Sequence, residues 1–143
     1  MEITAEIRLK ATIRPGSVFY FKEDSWNAEY SHNFVVLNYN PTTDDALILV
    51  GATTLDIKIF YRIKNLPRET IVDVTKDSCP FVDKPSYFNC NNVIQKKIEH
   101  LVEKLNNGEL MIRHDYLDNA ILEKIRTGVK ASPLVEKWIK NLL

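Results

Sequence analysis

The sequence has few of the residues that carry disulfide or metal chemistry. Its 143 residues include two cysteines, Cys79 and Cys90, which form neither a Cys-x-x-Cys pair nor a cluster with histidine. A glycine-rich phosphate loop is also absent. Because metal sites need several such ligands at a recognisable spacing, we predict no metal site and no cofactor. Two reduced, half-buried thiols are favoured over a disulfide.

The chain also lacks an excess of one charge and any long apolar run. Lys and Arg together number 19, as do Asp and Glu, so any contact with nucleic acid must come from a local patch. No apolar run approaches the roughly 18 residues of a membrane span, and the N-terminus lacks the pattern of a secretion signal. We therefore expect a cytoplasmic protein without a membrane partner. Its length and 45% hydrophobic content suit a single domain covering residues 1–143.

A predicted hairpin forms the centre of the chain. The apolar runs 34–37 and 46–50 are too short for typical helices and flank a cluster of turn-forming residues, which predicts two buried strands. Since antiparallel strands reverse direction at the turn, residues 31–33 and 53–54 should finish at the same end. We expect the functional site at that end.

Other segments extend the sheet. Residues 1–13 and 55–63 alternate apolar and polar side chains, which is typical of strands with one solvated face. Shorter strands are predicted over 18–21, 70–74 and 87–90. With the hairpin, these segments amount to about seven strands.

The period changes near residue 92. Apolar residues at helical spacing predict one helix that ends at Asn106-Asn107-Gly108 and a second that begins near Asp115 and ends before Gly128. A third helix is predicted from Ser132 as its N-cap, with Pro133 in the first turn. Strands followed by helices indicate an α+β protein that is mainly β. Residues 1–91 would form an antiparallel barrel, and residues 92–143 would pack on one side of it.

Two pairs of residues can be interpreted in two ways. Trp26 and Tyr30 lie on a long polar loop, where an aromatic side chain can stack on a nucleobase or fold back over the core. Asn89 and Asn91 flank Cys90 on a predicted strand. Their amides can read the edge of a base or hold a turn in place.

Several segments together resemble the MazF/PemK (Kid-like) toxin family. They are Pro15–Phe19, Phe34–Asn38, the strand Leu47–Val50 that leads to Thr53-Thr54, and Ser86–Asn91. The resemblance covers roughly residues 13 to 125. It implies an SH3-like β-barrel with C-terminal helices that is often a homodimer. Active members of the family cleave single-stranded RNA and are inhibited by an antitoxin peptide that lies across the RNA groove.

The chain departs from this family at catalytic positions. The family's second strand usually begins with Arg-Pro, and that arginine helps to cleave RNA, whereas here Ser31-His32-Asn33 holds the place. Ser17 stands where the family usually has an aspartate. Thr53 or Thr54 matches the Thr or Ser that ends the family's third strand. Whether the chain is an enzyme, a metal-independent endoribonuclease with weakened activity, is therefore open. The alternative is a non-enzymatic SH3-like module that binds a peptide or RNA in the same groove.

His32 is the candidate acid or base because the reference pKa of histidine, about 6.5, lies near neutrality. It is also open to a structural or capping role. A cation for the phosphate would come from Arg14, Lys22 or Arg62. We predict as catalytic residues His32, Thr53 and Thr54. We predict as substrate-binding residues Arg14, Ser17, Trp26, Tyr30, Asn33, Asn89 and Asn91.

Overall fold

The computed structural model describes residues 3–26 and 29–143, and for 114 and 115 it describes the backbone alone. This part of the chain contains seven strands and five α-helices. The strands are β1 Ser17–Phe21, β2 His32–Val36, β3 Leu47–Thr54, β4 Ile71–Val74, β5 Ser86–Asn89, β6 Ile94–Lys96 and β7 Leu110–Tyr116. The helices are α1 Ala5–Thr12, α2 Ile59–Arg62, α3 Ile98–Asn106, α4 Asn119–Ala131 and α5 Lys137–Lys140, with a 3₁₀ turn at Arg68–Thr70.

The strands form one antiparallel sheet in the order β4-β5-β3-β2-β1-β7, and β6 pairs with the first half of β3. The prediction of an α+β protein with an antiparallel sheet of about seven strands is confirmed. The predicted closure into a barrel is wrong. Within the described residues β4 pairs only with β5 and β7 only with β1, so the sheet is open with these two strands at its edges.

The central hairpin is confirmed. Val35 lies opposite Val50, and the side chains of the two apolar runs, 34–37 and 46–50, are buried except that of Ala46, which is half-buried. Asn38 closes the connection because its Oδ1 accepts from the Ile48 backbone N–H at 2.7 Å. Each buried Val, Leu, Ile or Phe side chain of the hairpin contributes about 1.5–3 kcal/mol, so the hairpin is a large part of the core.

Successive residues of the hairpin face opposite sides of the sheet, and each side has its own core. Val35 and Val50 belong to a cluster completed by apolar side chains of α4. Phe34 and Leu49 belong to a second cluster completed by α1 and α3. Helices therefore cover both faces, and the prediction that they pack on one side is wrong. The second face is covered by α1 and α3. Helix α1 comes from an N-terminal segment that was predicted to be a strand, and α3 is followed by the further strand β7.

The N-terminal strand predicted over 1–13 is also wrong, because α1 occupies Ala5–Thr12. Thr4 caps this helix, its Oγ1 accepting from the Ile7 N–H at 3.2 Å, and Lys10 pairs with Glu6 one turn earlier. Leu9 is the buried apolar residue of the helix, while Ile7 is exposed. The segment combines an alternating pattern with a helix-forming composition, and in the structure it is helical.

The strand predicted over 55–63 is wrong for a similar reason. A turn and the one-turn helix α2 replace it. Ile59 and Ile63 lie four residues apart on one side of that helix and pack on Ile71 and Tyr87. A spacing of four residues suits a helix as well as a strand, and here the helical interpretation applies.

The C-terminal helices were predicted only in part. The start of the first is β6, and the region expected to begin the second is β7, so residues 92–143 supply two strands to the sheet. Helix α4 begins after Asp118 and continues through Gly128. The third helix is short because the chain after Pro133 is not helical until Lys137, while the Ser132 Oγ accepts from the Leu134 N–H at 3.2 Å.

Candidate functional site

The polar residues that flank the central hairpin lie at one end of the sheet. His32 begins β2 opposite Phe21, while Thr54 ends β3 opposite Ser86. Antiparallel pairing places the start of β2 and the end of β3 side by side. We call this region, with its flanking loops, the polar end.

One face of the polar end carries a cleft of about 350 Å³, which we call the Arg113 cleft because the Arg113 side chain reaches a residue of its wall. Its wall combines hydroxyl, amide, aromatic and charged side chains with loop residues. The main lining residues are Tyr20, Tyr30, Asn33, Thr54, Asp83, Lys84 and Ser86. The Asn33 amide is held from two sides, since its Nδ2 donates to the Phe81 carbonyl at 3.4 Å and its Oδ1 accepts from Arg113.

Arg113 is the functional candidate that sequence reasoning missed. Its Nε donates to the Asn33 Oδ1 at 3.0 Å, and its guanidinium carbon lies 4.7 Å from the centre of the Tyr20 ring. Arg113 does not itself line the cleft, and its link to the cleft is the contact with Asn33. Arginine is always protonated and can bind phosphate through two parallel hydrogen bonds, so it can hold an anion that reaches Asn33. Arg113 lies on β7, in the stretch between the predicted helix that ends at Asn106-Asn107-Gly108 and the one predicted to begin near Asp115, so no predicted element contained it.

His32 and Thr53 lie on the other face of the sheet, because successive residues of a strand point to opposite sides. The His32 imidazole meets the Trp26 indole edge-on, with 5.0 Å between the ring centres. Thr53 borders a small pocket on that face, together with Gly51 and Asn89. His32 also borders the Arg113 cleft, so it stands at the rim between the two faces.

The two aromatic residues of the first loop differ in position. Trp26 packs over Gly51 and onto Phe34, whose ring centre lies 5.0 Å away, and so it covers the core of that face. A Cβ at position 51 would lie 2.4 Å from the Trp26 Cη2, so only glycine allows this contact. Tyr30 is 74% exposed and borders the Arg113 cleft. Of the two, Tyr30 has its ring free to meet a ligand in the cleft.

Three predicted substrate-binding residues lie away from the polar end. Ser17 starts β1 at the opposite end of the strand from Phe21, and its Oγ accepts from the Arg14 N–H at 2.9 Å. The Arg14 guanidinium carbon lies 3.2 Å from the centre of the Tyr116 ring. The third is Asn91, whose contacts are structural.

Asn91 joins two parts of the chain through its side-chain amide. Its Nδ2 donates to the Thr70 Oγ1 at 2.9 Å, and its Oδ1 accepts from the Ser132 Oγ at 2.6 Å. The amide therefore fixes the start of the C-terminal segment to the sheet. Asn89 differs, since it borders the small pocket beside Thr53.

The cysteines are placed for packing. Cys79 and Cys90 are fully buried, and burial raises the pKa of each thiol to about 12. At neutral pH both are therefore protonated and poor nucleophiles. The described side chains include no group of three or more His, Cys, Asp or Glu residues placed to hold a metal ion. Within residues 3–26 and 29–143, none of the helices is long and apolar enough to cross a membrane.

The fold and the polar end together define an α+β protein with an open antiparallel sheet and a polar cleft at one end of its central strands. No protein-family model matches this sequence. No curated protein matches it either. The fold matches that of solved structures, among them two endoribonucleases.

One is an endoribonuclease from a mycobacterial species in complex with its cognate antitoxin, with a TM-score of 0.50 at 14% identity, over 82% of this chain and 90% of that chain. The other is a mycobacterial endoribonuclease with a TM-score of 0.51 at 14% identity, over 82% of this chain and 88% of that chain. At this identity the similarity establishes a shared fold.

Proposed function

We propose that the protein is a divergent MazF/PemK-like toxin that binds single-stranded RNA in the Arg113 cleft and cleaves it without a metal. The observation that carries this proposal is the contact between the Arg113 guanidinium and Asn33. Asn33 lines the same cleft as Thr54. The Arg113 guanidinium supplies a positive charge near the start of β2. At that place this sequence has polar residues, whereas the resembled family has an arginine. The shared fold with two endoribonucleases supports the same interpretation.

In the proposed reaction the cleft holds the phosphate that is attacked. The Arg113 Nη groups and the Lys84 ammonium would bind its non-bridging oxygens, and the Thr54 and Ser86 hydroxyls would donate to them. Attack by the ribose 2′-oxygen forms a bond to phosphorus and breaks the bond to the 5′-oxygen. A base removes the 2′-proton and an acid protonates the leaving oxygen. Donors that stabilise the charge developing on the phosphate contribute about two to three powers of ten in rate.

His32 is our candidate for one of the proton transfers, because it stands at the rim of the cleft. Its ring lies against Trp26, so it must turn toward the cleft to act. This packing favours a second candidate function, a module that binds RNA or a peptide through Arg113 without cleaving it. The two candidates differ in the chemistry and share the ligand-binding cleft.

The proposed partners follow from the shared fold and the resemblance. One structural neighbour is in complex with its cognate antitoxin, and by analogy we propose that an antitoxin peptide binds this chain. A homodimer and a cytoplasmic location are further parts of the proposal.

The test is cleavage and binding of a long unstructured RNA by the purified protein without added metal. Arg113→Ala should lower the cleavage rate by about a hundredfold, and Arg113→Lys should recover part of it, because lysine keeps the charge without the paired donors. Lys130→Ala, which removes an exposed cation on α4, is the matched control and should cleave like the wild type. If Arg113→Ala cleaved RNA as fast as the wild type, Arg113 would have no part in cleavage and the proposed site would be wrong.

The same set of proteins separates the two candidate functions. Loss of cleavage in His32→Ala with RNA binding retained would support proton transfer by that residue. RNA binding that is weakened by salt and by Arg113→Ala, without cleavage in any variant, would support the binding module.

A further inference from the structure

Strand β4 forms one edge of the sheet and has no part in the RNA chemistry above. The direction of its backbone groups follows from one hydrogen bond, in which the Cys90 N–H donates to the Thr70 carbonyl at 2.7 Å. Thr70 therefore faces β5, and so does Val72, because successive residues of a strand direct their backbone groups alternately to its two sides. Ile71 and Asp73 then direct their N–H and C=O groups away from the sheet.

Arg68 occupies both outward groups of Ile71. The Ile71 N–H donates to the Arg68 carbonyl, and the Ile71 carbonyl accepts from the Arg68 Nη1 at 3.1 Å. The Arg68 Nη2 also reaches the Asp73 side chain, with 3.4 Å to its Oδ2. A single arginine side chain thus lies along the edge of β4, where the backbone of a neighbouring strand would otherwise run.

The chain that follows β4 closes the other end of the same edge. The Thr75 N–H donates to the Ser78 Oγ at 3.0 Å, and the Thr75 carbonyl accepts from the Cys79 N–H at 2.8 Å. An edge strand can pair with another chain through its outward backbone groups, and native proteins commonly cover such edges. The bonds at Ile71 and Thr75 take up groups that a partner strand would need.

The Arg68 side chain is held by weak contacts. Its guanidinium carbon lies 4.4 Å from the centre of the Phe60 ring. The side chains of Arg68 and Asp73 are 59% and 48% exposed, and exposed ion pairs of this kind are weak and screened by salt. Another group that bonds to the Ile71 carbonyl can therefore compete with Arg68.

A second chain has access to this edge. A cavity of about 440 Å³ is bordered by Ile71, Val72 and Asp73 on one side and by residues of α4 on the other. Because consecutive residues of a strand face opposite sides of the sheet, a cavity that all three of them border must run along the edge.

We propose that Arg68 is a latch that keeps the β4 edge from pairing with β4 of a second copy of this chain. The expected partner is β4 itself, because antiparallel pairing centred on Val72 is self-complementary. It places Ile71 of each copy opposite Asp73 of the other, and it keeps the two Asp73 carboxylates from lying directly opposite each other. Once Arg68 releases the Ile71 carbonyl, the Asp73 N–H of the other copy can donate to it.

The test is sedimentation velocity of the purified chain over about a hundredfold range of protein concentration. In Arg68→Ala the Ile71 carbonyl loses the latch, so the average mass should rise with concentration to as much as twice that of the wild type. Arg62→Ala, which removes another exposed arginine, from α2, is the matched control and should sediment like the wild type. If Arg68→Ala had the mass of the wild type at every concentration, the latch would be refuted.

Substitutions of Asp73 in the Arg68→Ala protein locate the association. Proline at position 73 removes the outward N–H and spares the bonds between β4 and β5, so the strand should still fold and the wild-type mass should return. Asp73→Ala is the matched control, because it removes the carboxylate but keeps the N–H, and it should still associate. Far-ultraviolet circular dichroism checks that every variant folds. Association that persists with proline at position 73, or that is lost with alanine there, would contradict pairing through β4.

Discussion

Gly51 makes room for Trp26, and Gly51→Ala should displace that indole. The new Cβ would lie 2.4 Å from the Trp26 Cη2 and 2.8 Å from the Phe34 Cε1. Carbon atoms in contact are about 3.5–4.0 Å apart, so the indole must retreat by about 1 Å or leave its place. Inserting a methyl group into a packed site costs about 1–3 kcal/mol, and replacing glycine in a strand returns about 0.5–1 kcal/mol. We expect a net loss of about 1–2 kcal/mol in the free energy of unfolding.

The measurement is urea denaturation in the Trp138→Phe background, followed by the fluorescence of Trp26. Gly51→Ala should lower the midpoint and shift the native emission to longer wavelength, because the indole becomes more exposed to water. The matched control is the same substitution in a Trp26→Ala protein, followed by circular dichroism. There the clash with the indole is absent and only Phe34 has to adjust.

A double-mutant cycle built from these variants isolates the contact. Residues in direct contact typically show a coupling of about 0.5–3 kcal/mol, and we expect about 1 kcal/mol here. If Gly51→Ala were as stable as the wild type with unchanged emission, the close packing of Trp26 on β3 would be refuted. The small pocket beside Thr53 would then lose its aromatic wall as well.

Two further predictions concern buried polar groups in the core. Arg126 is 2% exposed and its Nε donates to the Leu37 carbonyl at 2.8 Å, so Arg126→Met should cost about 3 kcal/mol in urea unfolding because that carbonyl loses its charged donor; a loss below about 1 kcal/mol would contradict this role. Burial raises the pKa of Cys79 and Cys90 from 9.0 to about 12, so the unfolded chain releases these protons first, and stability should be complete below pH 9 and decline as the pH rises toward 12. The decline should be shallower in Cys79→Ala than in the wild type, and equal slopes would show that this thiol does not contribute.

The sequence by itself determined the central hairpin and the location of the polar end. A short run that is rich in β-branched residues and lies between turn residues has few alternatives to a buried strand. The runs Phe34–Leu37 and Leu47–Val50 fit this description, and both are buried. Once the two runs pair antiparallel, the position of His32 beside the end of β3 follows from geometry. These features depend on neighbouring residues in the chain, which is why a pattern in the sequence can predict them.

Only the tertiary structure decided which segments joined the sheet. Residues 5–12 carry an alternating pattern that fits a strand and a composition that fits a helix, so the outcome depended on which edge of the sheet was available. The edge beside β1 is taken by β7, most of which lies between two predicted helices and was not predicted as a strand. A segment's choice between helix and strand depends here on partners far away in the chain.

The tertiary structure also decided which residues meet in the candidate site. Arg113 meets Asn33, 80 residues earlier, because β1 lies between their strands and the guanidinium reaches across it. His32 turned to Trp26 because Gly51 leaves space for the indole on that face. Neither contact has a local signature, since each depends on the order of strands in the sheet and on the volume left by a neighbouring strand.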